Sequence, residues 1–331
     1  MRIAIVRLSA IGDIIQSAVV LQFIKRDFPQ AKIDWFVDEN YVDLFNNVKH
    51  IDTVIGLNTK GILGIRLISK LVKLYKFLDS FGEYDLLIDL QGLIKSSIVA
   101  RFIPSKQRFG FDRNSCRESL ASYFYSRTFA ISYDKNVVER YCDLVSKSLN
   151  IKISRKDISN KDTIFRTRKF KERVNSKNFI IFILGASFKS KIYPIEKYSF
   201  IANEINTQFV AVWNTLEERR MALKLCRMSN NVINIETKSF DELKEIIYQS
   251  SLVIGGDTGP THLAWSMNKA SITIFGCTPM YRNFFPTRVN LAVSSGSKVD
   301  AFKINKSDFS IRDIDPKKLI NLINTQSKNN K

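Results

Sequence analysis

Short apolar strand patterns alternate with amphipathic helical patterns along this chain, and the alternation runs through the sequence twice. Strands separated by helices in this order predict parallel sheets that are covered by helices on both faces. The predicted strands are Arg2–Leu8, Ile33–Val37, Thr53–Leu57 and Asp85–Leu90 in the first half, and Phe179–Leu184, Phe209–Trp213, Val232–Ile235, Leu252–Gly255 and Ser271–Phe275 in the second.

Apolar residues at helical spacing fill the intervals between these strands. The predicted helices are Ile14–Phe28, Ile62–Leu78, Ile94–Phe102, Arg117–Phe124, Val137–Leu149, Glu196–Ile205, Glu217–Met228, Phe240–Gln249, Thr261–Met267 and Lys317–Asn324. The polar, basic stretch Ile153–Asn178 interrupts the rhythm and marks the inter-domain region, and Gln326–Lys331 is expected to be a disordered tail.

The sequence therefore predicts an α/β protein with two doubly wound, Rossmann-like domains in tandem. We expect a first domain over residues 1–160, a second over 161–315 and a terminal helix with a tail over 316–331. Ligands in such sheets bind at the carboxyl ends of the strands, so a cleft between the two domains is the expected place for a site.

Composition limits the functional classes. The 331 residues suffice for two domains, and the net charge of +19 favours anionic partners such as nucleic acid, phosphorylated small molecules or a membrane surface, unless it only reflects a basic proteome. Four scattered cysteines and two histidines argue against a structural zinc site or a disulfide framework. No apolar run is long enough to span a bilayer, and Arg7 interrupts the N-terminal apolar run, so we expect a cytoplasmic protein without a signal peptide.

The loop after the first strand contains Gly12 and Asp13 at a predicted helix start. Gly12 permits a tight turn, and Asp13 is either a helix N-cap or a functional carboxylate that faces the cleft. The loop lacks the GxGxxG spacing of a dinucleotide site.

A second loop, Gly255–His262, joins a strand to a helix and combines small residues with hydroxyls. Free N–H groups in the first helical turn bind anions, so a diphosphate is the expected ligand, and a well-capped helix is the alternative. His262 lies in the first turn, where the helix dipole favours a neutral imidazole.

Further candidate residues follow other strands or lie on helices. The loop Gly185–Lys191 offers lysines for a leaving phosphate or is a solvated basic loop, and Trp213 is a ribose or base contact or a core aromatic. Arg66, Lys70, Lys73 and Lys76 lie on one face of a predicted helix, which either contacts an anionic membrane or is simply solvated.

Four strings, taken together in this order, carry a resemblance to a known family. They are Ser9-Ala10-Ile11-Gly12-Asp13, Asp89-x-Gln91-Gly92-Leu93-x-Lys95-Ser96, Arg117-Glu118-x-Leu120-Ala121-Ser122 and Asp257-Thr258-Gly259-x-x-His262-Leu263. From Met1 to about Ile323, the chain resembles the bacterial lipopolysaccharide heptosyltransferases of glycosyltransferase family 9, and within them the heptosyltransferase I group.

The resemblance implies a GT-B fold and an inverting glycosyltransferase. Heptose would pass from ADP-L-glycero-β-D-manno-heptose to the inner Kdo of Kdo2-lipid A, at the cytoplasmic face of the inner membrane, to which the enzyme would bind peripherally. The resemblance implies that the enzyme needs no cofactor and has no metal site, although Mg²⁺ could stimulate the reaction. It also implies that nucleic acid is not a partner.

The resemblance also assigns roles to residues. Asp13 would be the catalytic base. The acceptor-binding residues would be Lys60, Gln91 and Arg117. The donor-binding residues would be Ala186, Ser187, Lys191, Glu218, Lys238, Asp257, Thr258, Gly259 and His262.

The chain departs from the family pattern at two places. Ala186-Ser187 replaces two donor-contacting threonines, and Lys60 alone remains of a basic acceptor-binding cluster, for which Arg66 and Lys70 could substitute. The alternatives are heptosyltransferase II or another ADP-heptose transferase, then a GT-B-fold sugar-nucleotide epimerase, and finally a nucleic-acid-binding protein motivated by the charge.

Overall fold

Each half of the chain builds a six-stranded parallel sheet, as the strand–helix alternation predicts. The computed structural model describes residues 1–60, 67–167, 174 and 178–329. By internal contacts the chain divides into two units, Met1–Ile164 and Phe165–Lys331.

The first unit orders its strands β3-β2-β1-β4-β5-β6. The strands are β1 Arg2–Val6, β2 Lys32–Asp38, β3 Thr53–Leu57, β4 Tyr84–Asp89, β5 Ser105–Phe111 and β6 Arg127–Phe129. The helices are α1 Ile11–Ser17, α2 Val20–Asp27, α3 Leu67–Asp79, α4 Ile94–Phe102, α5 Val137–Leu149 and α6 Arg155–Ser159, with 3-10 segments at Glu39–Phe45 and Ser119–Phe124. Helix α5 packs with α1 and α2, whereas α4 packs with α3 and with the segment Ser119–Phe124.

The second unit repeats this topology, with the order β12-β11-β10-β7-β8-β9. Its strands are β7 Phe179–Ile183, β8 Gln208–Trp213, β9 Val232–Glu236, β10 Leu252–Gly256, β11 Ser271–Phe275 and β12 Asn290–Ser294. Its helices are α7 Ile195–Glu204, α8 Leu216–Met228, α9 Phe240–Gln249, α10 Gly259–Ser266, α11 Met280–Asn283 and α12 Pro316–Asn329, with 3-10 segments at Lys189–Lys191 and Ser310–Asp313.

Both sheets change winding direction between their first and fourth strands. Val6 at the end of β1 is paired with Asp89 of β4, and Ile183 at the end of β7 is paired with Gly255 of β10. Ligands bind at such switch points, beyond the carboxyl ends of the two strands. The candidate loops of the sequence therefore lie at the two places where this topology provides sites.

The central strands are apolar on both faces because helices cover both sides of each sheet. Residues Ile3 to Val6 and Phe179 to Ile183 are all at most 5% exposed. Because these strands are continuous apolar runs, they could be predicted from the sequence. The edge and near-edge strands β5, β6 and β12 were missing from the prediction. Strand β5 begins with polar residues, of which Lys106 and Gln107 are exposed, and β6 has only three residues. The apolar run of β12 is short and only partly buried.

Two predicted helices need correction. The stretch Ile14–Phe28 is two helices, α1 and α2, joined by Ala18 and Val19, whose dihedral angles stay near the helical values. Arg117–Phe124 is helical only over Ser119–Phe124, as a 3-10 segment, because the Glu118 backbone is extended, with φ −112° and ψ 94°.

The predicted Ile62–Leu78 helix is observed as α3, and its first part lies outside the described residues. The predicted tail from Gln326 is wrong as far as Asn329, since α12 continues to that residue. Gln326 is 2% exposed and donates to the Val289 carbonyl at 3.0 Å, which anchors the end of the chain. Similarly, the polar stretch that begins at Ile153 contains α6, which a Ser154–Asp157 capping box starts.

Candidate active site

The Asp13 carboxylate is held by two side chains from outside its own loop. Helix α1 begins at Ile11, so Asp13 is its third residue. An Arg7 guanidinium nitrogen lies 2.7 Å from Asp13 Oδ2, and the Tyr141 hydroxyl donates to Asp13 Oδ1 at 3.0 Å. The side chain is 37% exposed. Both oxygens are thus engaged with a cation and a phenol, which is not the arrangement of a helix N-cap.

Gln91 supports the loop that precedes Asp13. Its side-chain oxygen accepts the backbone N–H groups of Leu8 at 2.8 Å and Ser9 at 3.3 Å. These contacts fix the chain immediately after β1, next to the turn that leads to Asp13. In this structure Gln91 therefore positions the loop that leads to Asp13.

A buried carboxylate fixes Gln91 in turn. Asp89 is fully buried at the end of β4, and its Oδ1 accepts the Gln91 N–H at 2.8 Å. Its Oδ2 accepts hydroxyl hydrogen bonds from Ser96 and Tyr125, each at 2.7 Å. Burial raises the pKa of Asp89, although these hydrogen bonds act in the opposite direction.

The other predicted acceptor residues lie apart from this cluster. Lys60 and Arg117 are both exposed, and neither takes part in the contacts of Asp13 described above. The Lys60 carbonyl accepts a hydrogen bond from Lys70 Nζ at 3.2 Å. Arg66 lies outside the described residues.

In the second unit, the loops after β7 and β10 approach each other closely because two glycines allow it. A Cβ on Gly256 would lie 2.8 Å from the Lys191 carbonyl oxygen, and a Cβ on Gly255 would lie 2.6 Å from Ile183 Cβ. The absence of side chains there brings Lys191 and Asp257 together.

Asp257 is the centre of a buried polar cluster. Its Oδ1 lies 2.9 Å from His262 Nε2, and its Oδ2 lies 3.2 Å from Lys191 Nζ and 3.1 Å from Asn283 Nδ2. Burial by itself would raise the pKa of Asp257. The Lys191 charge and hydrogen bonds from His262 and Thr278 outweigh it and hold that pKa well below the usual range.

The start of α10 offers hydrogen-bond donors beside this cluster. Thr258 occupies the N-cap position in an extended conformation, its side chain makes no capping hydrogen bond, and a proline stands in the first turn. Uncapped N–H groups and the positive end of the helix dipole suit an anion. The start of α10, beside the Lys191–Asp257 pair, is therefore a candidate anion site.

Other predicted donor residues surround the same strand ends. Ala186 is half-buried, whereas Ser187 is exposed. Glu218 belongs to a capping box of α8, in which one of its oxygens accepts the Asn214 and Thr215 N–H groups at 2.8 and 3.1 Å. Its other oxygen lies against Gly185, where a Cβ would come within 1.8 Å of it.

Trp213 and Lys238 are two further predicted donor contacts, at the carboxyl ends of β8 and β9. Lys238 is exposed, and its Nζ lies 3.8 Å from Glu236. Trp213 is partly buried, donates to the Asn234 side chain at 3.1 Å and packs beneath the Arg219 guanidinium. The donor-binding roles of Lys238 and Glu218 remain predictions.

The sequence analysis named Lys191 and His262, which contact Asp257, but it missed four other partners of the two carboxylates. Arg7 and Tyr141 bind Asp13, and Asn283 and Thr278 bind Asp257. The only sequence signal was at Arg7, because a charged residue that directly follows a buried strand requires a partner.

No group of three or more metal-ligating side chains capable of holding an ion occurs among the residues that the structure describes. Likewise, within the described part of the chain, no helix combines the length and apolar character needed to cross a bilayer.

Two Rossmann-like units in tandem, each with a six-stranded parallel sheet, give the architecture of the GT-B fold. Solved structures share this fold. The E. coli heptosyltransferase WaaC with ADP superposes with a TM-score of 0.79 at 20% identity, covering 98% of this chain and 100% of that one. A glycosyl transferase family 9 protein from Veillonella parvula gives 0.81 at 16% identity, covering 98% and 96%.

Sequence comparison gives the family. The model for glycosyltransferase family 9 (heptosyltransferase) matches residues 72–306. Lipopolysaccharide heptosyltransferase 1 of Campylobacter coli is 39% identical over 98% of both chains, and its counterpart in Pseudomonas aeruginosa is 25% identical over 84% of this chain and 79% of the relative. The chain belongs to glycosyltransferase family 9, and it is a glycosyltransferase enzyme.

Proposed function

We propose that this enzyme catalyses the heptosyltransferase I reaction of lipopolysaccharide inner-core biosynthesis. It would transfer heptose from ADP-L-glycero-β-D-manno-heptose to the inner Kdo of Kdo2-lipid A. The observation that carries this proposal is the 39% identity to a lipopolysaccharide heptosyltransferase 1, which extends over 98% of both chains.

The proposed base is Asp13. It takes the proton of the Kdo hydroxyl as the hydroxyl oxygen attacks the anomeric carbon of the donor heptose. The bond from that carbon to the diphosphate oxygen breaks, its electron pair leaves with ADP, and the configuration at the carbon inverts. The Arg7 guanidinium lies 2.7 Å from this carboxylate and holds it in place.

The proposed donor site is the cluster at the ends of β7 and β10. The N–H groups at the start of α10, with Thr258 and Gly259, would bind the diphosphate and stabilise the charge that develops on the leaving ADP. Lys191, Asp257 and His262 would order this loop and contact the donor. Ala186, Ser187, Glu218 and Lys238 complete the proposed donor set, and the reaction as proposed requires no metal.

We also propose peripheral contact with an anionic membrane surface, through the helical layer formed by α3, α4 and the segment Ser119–Phe124. Three exposed lysines of α3, Lys70, Lys73 and Lys76, share this layer with large apolar side chains. Those apolar side chains are between 46% and 70% exposed, and they are Val72, Tyr75, Phe77, Leu120 and Tyr123. Exposed basic and apolar side chains in one layer suit anionic lipid headgroups, and the proposed acceptor is itself a lipid.

An acceptor panel tests the proposed function. The purified protein is incubated with ADP-heptose and either Kdo2-lipid A, Kdo2-lipid A that already carries one heptose, or no acceptor, and the products are weighed by mass spectrometry. We expect addition of one heptose to Kdo2-lipid A alone. Addition only to the heptosylated acceptor would indicate heptosyltransferase II, and conversion of the donor without an acceptor would indicate an epimerase.

A further inference from the structure

Arg7 is a buried cation at the end of β1, with a side chain that is only 7% exposed. One guanidinium nitrogen donates to the Leu90 carbonyl at 3.0 Å, and another lies 2.7 Å from Asp13 Oδ2. Burial by itself would lower the pKa of Arg7, but Asp13 outweighs this and the pKa is raised. A buried guanidinium requires a counter-charge, so Arg7 holds the Asp13 carboxylate in place.

Tyr141 approaches the same carboxylate from helix α5. It is 4% exposed, and its hydroxyl donates to Asp13 Oδ1 at 3.0 Å. The Arg7 guanidinium carbon lies 5.3 Å from the centre of the Tyr141 ring, within the range of a cation–π contact. Arg7, Asp13 and Tyr141 therefore form a closed triangle in which each side chain contacts the other two.

The triangle fixes the plane of the carboxylate and leaves it able to accept a proton. Each oxygen receives one hydrogen bond from the triangle, and each keeps a further lone pair. The Asp13 side chain is 37% exposed, so a substrate hydroxyl can reach it. A general base works efficiently only when it is held in the correct orientation toward the proton that it abstracts.

We propose that Arg7 and Tyr141 are positioning residues that orient the Asp13 carboxylate for abstraction of the acceptor proton. This inference rests on the proposed function, since it presupposes that Asp13 is the base. It adds two residues outside the motifs of the sequence analysis, and one of them, Tyr141, comes from a different helix.

The decisive variant is Tyr141→Phe, which removes one hydroxyl and keeps the ring beneath Arg7. We expect kcat with Kdo2-lipid A to fall roughly five- to tenfold, as the loss of one orienting hydrogen bond implies. KM for ADP-heptose should not change, because the proposed donor loops belong to the second unit. Arg7→Met should lower kcat further, by roughly 10- to 100-fold, and Arg7→Lys should restore part of it.

Tyr84→Phe is the matched control. Tyr84 is fully buried in the same sheet, and its hydroxyl donates to an Asp34 carboxylate oxygen at 2.7 Å. It lies at the start of β4, whereas Asp13 follows the opposite end of the sheet. The control therefore loses the same kind of phenol–carboxylate hydrogen bond without touching the base, and it should keep the wild-type kcat.

Two outcomes separate this inference from the proposed function. If Asp13→Asn is inactive but Tyr141→Phe and Tyr84→Phe have equal kcat values, the positioning role is wrong and the base assignment stands. If Asp13→Asn turns over normally, the base assignment is wrong and the inference falls with it. A rise in KM for either substrate at constant kcat would also overturn the inference, because Tyr141 would then act in binding.

Discussion

Asp13 and the buried Arg7 form an ion pair. A substitution at Asp13 is therefore expected to affect the stability of the fold as well as the reaction. Asp13→Ala leaves the buried Arg7 guanidinium without its carboxylate, whereas Asp13→Asn keeps an oxygen that can accept its hydrogen bond. A buried cation without a partner is costly, and the partial exposure of Asp13 reduces that cost. We expect the free energy of unfolding of Asp13→Ala to be lower than that of Asp13→Asn by about 1–2 kcal/mol.

Urea denaturation at neutral pH measures this difference. Equal stabilities of the two variants would contradict the coupling. If the difference is found, Asp13→Asn is the better variant for testing the base, because its amide oxygen can still accept the Arg7 hydrogen bond and the loop is disturbed less.

Asp257 predicts a pH dependence of stability. Its pKa is lower in the folded chain than in the unfolded chain, because Lys191, His262 and Thr278 outweigh the effect of burial. Such a carboxyl group contributes its full stability above its unfolded pKa of about 4 and loses it as the pH falls toward the folded value. The stability advantage of the wild type over Asp257→Asn should therefore shrink as the pH falls from about 5 to about 2. Chemical denaturation across this range checks it, and a constant difference would argue against the ion pair.

At the scale of elements, Gln91 connects two loops at the switch point of the first sheet. Gln91→Leu removes the acceptor for the Leu8 and Ser9 N–H groups, whereas Gln91→Glu keeps an oxygen there. Because unpaired N–H groups in a packed loop are costly, we expect Gln91→Leu to lower the free energy of unfolding by about 1–3 kcal/mol.

Gln91→Glu should remain close to the wild type in stability, as thermal or urea denaturation would show. Its activity separates the two roles of this residue. If Gln91→Glu folds normally but its KM for Kdo2-lipid A rises sharply, the side-chain amide also contacts the acceptor, as the family resemblance implies.

The central elements were predictable from the sequence, because parallel strands covered on both faces must be apolar throughout. This holds for β1, β4, β7 and β10, which carry the site loops. Strand β5 was missed since Ser105 to Arg108 are polar and only its end is buried. The three-residue strand β6 is stabilised by pairing with β5. Such pairing between distant segments produces no hydrophobic pattern in the local sequence from which the strand could be predicted.

At the scale of the whole molecule, the net charge of +19 is compatible with many anionic partners. Among these partners, the exposed lysines and apolar side chains around α3 favour an anionic lipid surface. The layer of α3, α4 and the segment Ser119–Phe124 is called the α3 layer. If the α3 layer binds lipid, the wild type should bind anionic vesicles at low salt and should bind neutral vesicles only weakly. Replacement of Lys70, Lys73 and Lys76 by serine should weaken binding by about 3 kcal/mol, at roughly 1 kcal/mol for each charge. Vesicle sedimentation measures this.

The control replaces three exposed lysines of the second unit and so has the same total charge. They are Lys298, Lys303 and Lys318. Equal vesicle binding by the two triple variants would mean that total charge, and not the α3 layer, determines the attraction.

The sequence placed the candidate loops correctly relative to the strands, but it could not reveal the contacts that assemble them. Tyr141 lies 128 residues from Asp13 and has no motif around it. Its position follows only from the packing of α5 against α1, which depends on the complete sheet. By contrast, the Gly255–His262 loop could be recognised because its small residues and helix start are adjacent in sequence.

The most direct test is a transfer assay that compares wild type with Asp13→Asn. Each protein is incubated with ADP-heptose and Kdo2-lipid A, and the mass of the lipid product is measured over time. The account predicts that the wild type adds one heptose and that Asp13→Asn adds none while still binding ADP. An unchanged lipid mass with the wild type, or equal turnover by Asp13→Asn, would contradict it.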